Sequence, residues 1–431
     1  MTLDLTWTLD IGEYGSFNRF TSRCLGMSIR QQLVRGGVGR GSCVMTFDNN
    51  DGALTPNAGG TYAGIDWFSQ RVIIAGTVTN GTDTEGFRAF DGLITDFTIE
   101  DNGTNSTVTM TADDFLTIAG SAPTYSTIGT TTVTGAEGAM EKILNGDSGA
   151  GIPGIDMPAC GGPDPGFQVL EVSATDFDSY IIDFDGTPAG QQFASQVMPS
   201  GPNFAWATTV TGILYNPAFH VQLANRYYNR TRTLDGGDKL VARPQVFKRN
   251  PTGTELTYNE VQAGWNHDDI RNQATVTGQF GGATEQTATN TTSIDKYGVS
   301  SVTVNQSAAN SDSYALDVAN RWSKMWDAPV YGATTVRVRH SRIASKCANA
   351  AYERYANLLD VRCGLWNTAD IEYTPTGAAS AVTDHRILFG RTIRVTPSDT
   401  VVDLNLVPAE NYMYFELDSS TLGVLDTNRL G

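Results

Sequence analysis

At 431 residues the chain exceeds what one hydrophobic core supports, so two to four domains are expected. It is 40% hydrophobic and 17% charged with 45 glycines, a globular composition that favours strands and turns over long helices. The net charge of −17 argues against wrapping nucleic acid, which needs a basic surface; simple solubility is the first explanation of that acidity, and repulsion of DNA passing nearby the second.

No apolar run reaches membrane-spanning length, and Met1-Thr2-Leu3-Asp4 opens no basic-then-apolar leader, so a soluble chain without an evident export signal is expected. Met1 to Phe20 reads as a polar lead-in with turns at Ile11 to Gly15. Arg30, Arg35 and Arg40 then form a local basic patch among glycines.

The clearest β-structure runs from Gly41 to Ala112. Cys43, Met45 and Phe47 share one face, as do Val108, Met110 and Ala112, and Leu93, Phe97 and Ile99 read as a third inward row. Asn49-Asn50-Asp51-Gly52 and Asp91-Gly92 are residues suited to tight turns. These strands predict a small antiparallel barrel or sandwich.

From Ser121 to about Asn225 the pattern is mixed. Ala136 to Leu144 has helical spacing and stops at Asn145-Gly146; a second short helix opens at Thr187-Pro188. Val210 to Leu214 reads as a strand pair broken at Gly212. Strands return between Tyr258 and Val304. The strongest helix, Ser313 to Ala328, places Leu316, Ala319, Trp322 and Met325 or Trp326 on one stripe and ends at Pro329. Val336 and Val338 mark a strand, Ala344 to Leu358 an alanine-rich helix, and Val402, Leu404 and Leu406 a closing strand. The terminal L-D-x-x-x-L-G repeat, Leu417 to Gly423 and Leu425 to Gly431, suits either an extended arm docking on a neighbour or an ordinary terminal turn.

The fold class expected is mainly β with an α/β middle: two tube-like β-barrel or sandwich domains flanking mixed α/β domains. The division is a β-barrel-like domain over 1–120, a mixed insert over 121–245, a β-rich connector ending in a helix over 246–330, and a β domain with a terminal arm over 331–431.

No catalytic, cofactor-binding or metal-binding residue is expected. The five cysteines, Cys24, Cys43, Cys160, Cys347 and Cys363, contain no C-x-x-C pair and read as reduced thiols. His220, His267, His340 and His385 are isolated. Asp48 to Gly52 has its glycine one place too early for a calcium loop, and Gly59 stands where the closing Glu belongs, so a turn explains it better. Gly36 to Gly41 lacks the Lys-Ser/Thr of a phosphate loop. Asp113-Asp114 and Asp268-Asp269 are adjacent residues that strand geometry points apart, and Asp113 suits a helix N-cap. His267-Asp268 has no nucleophile elbow to complete a triad.

Four segments together resemble bacteriophage minor tail proteins of the tail-hub type. They are Met45 to Gly52 with Leu54-Thr55-Pro56, Arg71 to Ala75 and Phe90 to Ile94; Asn259-Glu260-Val261 with Ser293 to Gly298; Ala319 to Trp322 ending at Ala328-Pro329; and His385 through Leu404, closing on Leu422 to Asp426. The resemblance implies a homotrimeric ring at the distal end of a virion tail. Its partners would be a distal tail protein ring, the tape measure protein, and tip or fibre proteins, with genome DNA crossing the lumen unbound. The alternatives are a host-surface carbohydrate-binding module using Trp265, Tyr227 and Tyr228, or a wall-degrading hydrolase, for which no acid pair or metal site is visible.

Overall fold

The computed structural model describes residues 3–13, 16–32, 40–56, 59–114, 245–265, 270–277, 284–305, 312–360 and 368–409, with only short strands between 115 and 244. The first region contains β1 (Asp4–Glu13), β2 (Ser16–Arg19), β3 (Cys24–Gln32), β4 (Arg40–Asp48), β5 (Arg71–Thr79), β6 (Thr84–Asp101) and β7 (Ser106–Asp114). Seven short strands follow: β8 (Gly129–Val133), β9 (Val169–Leu170), β10 (Tyr180–Phe184), β11 (Ala207–Thr208), β12 (Leu214–Tyr215), β13 (Arg230–Thr233) and β14 (Lys239–Ala242). They pair only among themselves. The helices expected at 136–144 and 187–199, and residues 210–213 of the expected strand pair, lie outside the described residues.

The remaining strands are β15 (Gln245–Lys248), β16 (Glu260–Gly264), β17 (Gln273–Thr277), β18 (Gln286–Thr289), β19 (Ser301–Asn305), β20 (Gly332–Arg339), β21 (Thr368–Tyr373), β22 (Val382–Val395) and β23 (Thr400–Pro408). Among the described residues the α-helices are α1 (Thr291–Tyr297), α2 (Asp312–Met325), α3 (His340–Lys346) and α4 (Tyr352–Leu359). The protein is mainly β. A single large sheet runs in the order β16-β20-β23-β22-β3-β4-β7-β6-β5-β1-β2, with β15 and β21 branching from β22. The first and last β-regions are therefore hydrogen-bonded edge to edge, through β3 and β22, from Met27↔Val395 to Gln32↔Gly390.

Several sequence expectations are corrected. The lead-in is the ten-residue strand β1: Leu3, Leu9 and Ile11 are buried, Leu5 and Trp7 pack on the same core, and only its end turns back into β2. Trp7 and Phe87, edge to face at 4.9 Å, flank Gly76 across β5 and cover the gap that a missing side chain leaves. Asp91-Gly92 is no turn but the middle of β6, where the Asp113 carbonyl comes within 2.2 Å of where a Gly92 side chain would begin. In the second half of β6 it is Ile94, not Leu93, that joins the core, after Phe87, Ala89 and Phe90 in the first half. A bulge between Ile94 and Asp96 shifts the alternation, so that Ile94, Phe97 and Ile99 face Ala112, Met110 and Val108.

Cys43, Met45 and Phe47 are fully buried, as their period of two requires. So are Val336, Val338, Val402 and Leu404 in the C-terminal strands. The long alanine-rich helix is broken at Cys347-Ala348 into α3 and, after a single turn of 3-10 helix, α4. In α2 the buried stripe is Ala315, Val318, Ala319 and Trp322, continued by Trp326, while Leu316 is exposed. That stripe covers β17 and β18 and joins Ile387, Phe389, Val407 and Ala409 in a second core. The unexpected α1 is capped by Asn290, whose side chain accepts from the Ser293 amide, and it ends at Gly298.

β22 is buried on both faces from Arg386 to Arg391. Leu388 enters the main core while Ile387 and Phe389 enter the second. Arg391 is the largest polar side chain so enclosed. Its Nε and Nη2 donate to Gln31 Oε1 at 2.8 and 2.5 Å, across the β3–β22 seam. Its Nη1 donates to the carbonyls of Leu358 and Asp360 at 2.5 and 3.0 Å, placing a cation at the C-terminus of α4. The Asp360 carboxylate in turn accepts from the Arg88 amide of β6 at 2.8 Å.

Glu255 closes the loop after β15. Burial alone would raise its carboxyl, but its own amide, the amides of Gly253 and Thr252 and the Lys248 ammonium outweigh this and hold it at about 2, against an ordinary 4.5.

Two outcomes are expected. Arg391→Met strands Gln31 and two carbonyls, and lowers the unfolding free energy by about 3 kcal/mol in urea titration; Arg391→Lys recovers only part, because an ammonium cannot reproduce the planar fork. Because folded Glu255 is the stronger acid, its contribution is complete above 4.5 and lost as pH falls toward 2. The gap in thermal midpoint between wild type and Glu255→Gln should close over that window.

Candidate functional site

The groups that resembled chemistry are engaged in structure. Asn49 is buried: its Nδ2 donates to Thr55 Oγ1 and Ser106 Oγ, and its Oδ1 accepts from the Leu54 amide. Asp48 accepts from the Asn50 amide, and Gly52 takes a φ of 67° that completes the turn. Asp51 is held by both terminal nitrogens of Arg23, at 2.9 and 2.6 Å, and that hydrogen-bonded guanidinium draws its carboxyl down to about 2. Among the described residues no three His, Cys, Asp or Glu side chains converge as metal ligands.

Asp113 is not a helix cap: it lies in β7 and accepts from Thr95 Oγ1 at 3.1 Å, while the neighbouring Asp114 is buried. His385 pairs with Asp370 at 2.7 Å on the surface. His340 stacks over Tyr355, and burial lowers its pKa against the opposing pull of Asp399 and Asp4. Cys24, Cys43 and Cys347 are free thiols, and burial pushes that of Cys43 well up. His220, His267, Asp268, Asp269, Cys160, Cys363, Tyr227, Tyr228 and residues 36–39 lie outside the described residues.

Sequence reasoning missed the buried charges. Arg71 holds Asp91 by two bonds, Nε to Oδ1 at 2.6 Å and Nη2 to Oδ2 at 2.5 Å, with Arg88 at 3.5 Å. Burial pushes the Asp91 carboxyl up, and Arg71 and Arg88 offset part of that rise. Arg386 is likewise buried, with its Nε on Asp384 Oδ1 at 2.7 Å. The available signal was an Arg or Asp interrupting an apolar strand run, in Arg71-Val72-Ile73-Ile74, Phe90-Asp91-Gly92-Leu93-Ile94 and Ile387-Leu388-Phe389-Gly390-Arg391. A charge buried there must find a partner.

What remains is surface. The solvent face of the last β-region carries a charge ladder across four strands: Glu260 to Arg337 at 3.1 Å, Arg337 to Asp403 at 2.6 Å, and Arg394 to Asp403 at 2.5 Å. In the first β-region the same strand alternation leaves Thr107, Thr109 and Thr111 of β7 turned away from the core. Both ends of the sheet, β2 and β16, have one unpaired edge among the described residues. Beside β16, Trp265 and Tyr331 stand exposed with their rings 5.4 Å apart. The arrangement offers binding surfaces and no assembled catalytic constellation among the described residues.

No family model matches the chain, and no curated protein matches it in sequence. Solved structures do match. The tail protein from Neisseria meningitidis MC58 is similar over 93% of this chain and 96% of its own, with a TM-score of 0.52 at 11% identity. The 43 kDa tail protein of prophage MuSo2 from Shewanella oneidensis is similar over 95% of this chain and 100% of its own, with a TM-score of 0.53 at 9% identity. The chain has the fold of these two tail proteins.

The two classes of ion pair predict different costs. Arg71→Ala, which removes both short bonds to the buried Asp91 carboxylate and leaves it only the longer contact with Arg88, should lower the unfolding free energy by about 3 kcal/mol. Arg337→Ala, on the exposed ladder, should change it by less than about 1 kcal/mol in the same denaturant titration.

Proposed function

We propose that the protein is a non-catalytic structural subunit of a phage tail tip, three copies of which close into a ring-shaped hub. In this reading the ring joins a distal tail ring and the tape measure protein on one side to tip or fibre proteins on the other, and DNA crosses the lumen. One observation carries it furthest: the likeness to two tail proteins runs along almost the whole of all three chains, not through one shared module. Each copy carries two joined β-regions, so three copies would present six β-blocks to a six-fold neighbour.

The physical chemistry is compatible. Among the described residues β2 and β16 each have one edge without a partner strand, and such edges are a liability that ring closure removes. A net charge of −17 repels phosphates, which suits a conduit that must not retain DNA. Mass photometry and class averages of the purified full-length protein test the proposal. A trimer around a central hole is expected; a monomer, or a two-fold dimer without a channel, sinks it.

A further inference from the structure

The first and last β-regions also touch away from the β3–β22 seam. Where β1 passes the turn between β22 and β23, Trp7 Nε1 donates to Thr400 Oγ1 at 3.1 Å. His340, the first residue of α3, stands at this contact, within reach of the charges of Asp4 on β1 and Asp399 in the turn. Its ring lies flat on Tyr355 of α4, with centroids 5.7 Å apart and planes 7° from parallel. Its Nδ1 is enclosed without a hydrogen-bond partner, and so is the Tyr355 hydroxyl.

Protonation changes what this place must hold. A neutral imidazole can carry its one proton on Nε2 and leave Nδ1 a bare lone pair, whereas an imidazolium carries protons on both nitrogens. At His340 the second N–H would be buried without an acceptor, together with a charge. The groups that face the ring do not repair this. Asp399 is taken up by the Ser341 amide and hydroxyl and by the Thr400 amide, with Arg339 at 3.7 Å. Asp4 is exposed on β1, where solvent screens it. Tyr355 is fully buried; that burial, with Asp399 and Cys347 nearby, raises its hydroxyl and keeps it neutral. Burial thus outweighs the two carboxylates and holds His340 below its ordinary 6.5.

We propose that His340 is an acid-released latch: neutral, it keeps α3 and the β22–β23 turn closed on β1 and α4; protonated, it lets them come away while the β3–β22 seam stays shut. The seam is spared because its own cation, Arg391, is charged throughout and bonded to acceptors. The latch belongs to one copy of the chain and is independent of the ring. A proton that prefers the open form raises the opening constant as pH falls, by up to about tenfold for each pH unit between the closed and open midpoints.

Amide hydrogen exchange of the full-length protein at about pH 7.5 and about pH 5.5, either side of the ordinary histidine range and corrected for intrinsic exchange, tests it. Protection of 341–347 and 396–400 is expected to fall severalfold on acidification, with 27–32 and 390–395 unmoved. His340→Phe, which keeps a flat ring and takes no proton, should abolish the response. Asp4→Asn, a surface change that removes an opposing charge, should deepen it. Equal protection at the two pH values in wild type, a loss shared by the seam, a response that survives His340→Phe, or one left unchanged by Asp4→Asn would overturn the proposal.

Discussion

The guanidinium of Arg391 sits where four parts of the molecule meet. It bonds Gln31 on β3 from its own place on β22, caps the carbonyl end of α4, and through Asp360 is one step from the backbone of β6. A cation this deeply enclosed is tolerated only because its donors meet oxygen acceptors in a fixed geometry. That requirement constrains the joint: β3 and β22 must lie in register and α4 must end at Leu359 for the fork to be satisfied. The seam it guards turns two β-regions, far apart in sequence, into one sheet.

Burial on both faces makes β22 the axis of the fold. A one-residue slip of a strand exchanges its two faces, so a strand with different apolar partners on each face has its register fixed from both sides. From Arg386 to Arg391 every residue is enclosed, with Leu388 committed to one core and Ile387 and Phe389 to the other. The bulge between Leu388 and Gly390 lies within this stretch, and the pairing with β3 begins at Gly390. The 270–326 region, with α2 over β17 and β18, thereby packs on the same strand that joins the two β-regions.

The distribution of charge suits an assembly component. Two ion pairs, Arg71 with Asp91 and Arg386 with Asp384, are withdrawn from solvent, where losing one partner costs more than on the surface. Those on the surface, Glu260 to Arg394, form a ladder whose members largely neutralise one another and are individually worth little. His340 and His385, and the carboxylates of Asp51, Asp91, Asp113 and Asp370, are each engaged by a neighbouring side chain.

The class of structure was legible in the residues. Alternation in Cys43-Val44-Met45-Thr46-Phe47, in Val108 to Ala112 and in Val402 to Leu406 determined strands and their inward faces, because successive side chains on a strand point to opposite sides. The alternation from Leu3 to Ile11 was equally clear and was misread through its polar neighbours. Other features were not local properties. The bulge at Thr95 reversed which of Leu93 and Ile94 is buried, and the place of Asp91 was decided by Arg71 on the next strand. The pairing of β3 with β22 joins residues more than 350 positions apart. No window of sequence carries that information: hydrophobic periodicity says that a face must be covered, and only the folded chain decides by what.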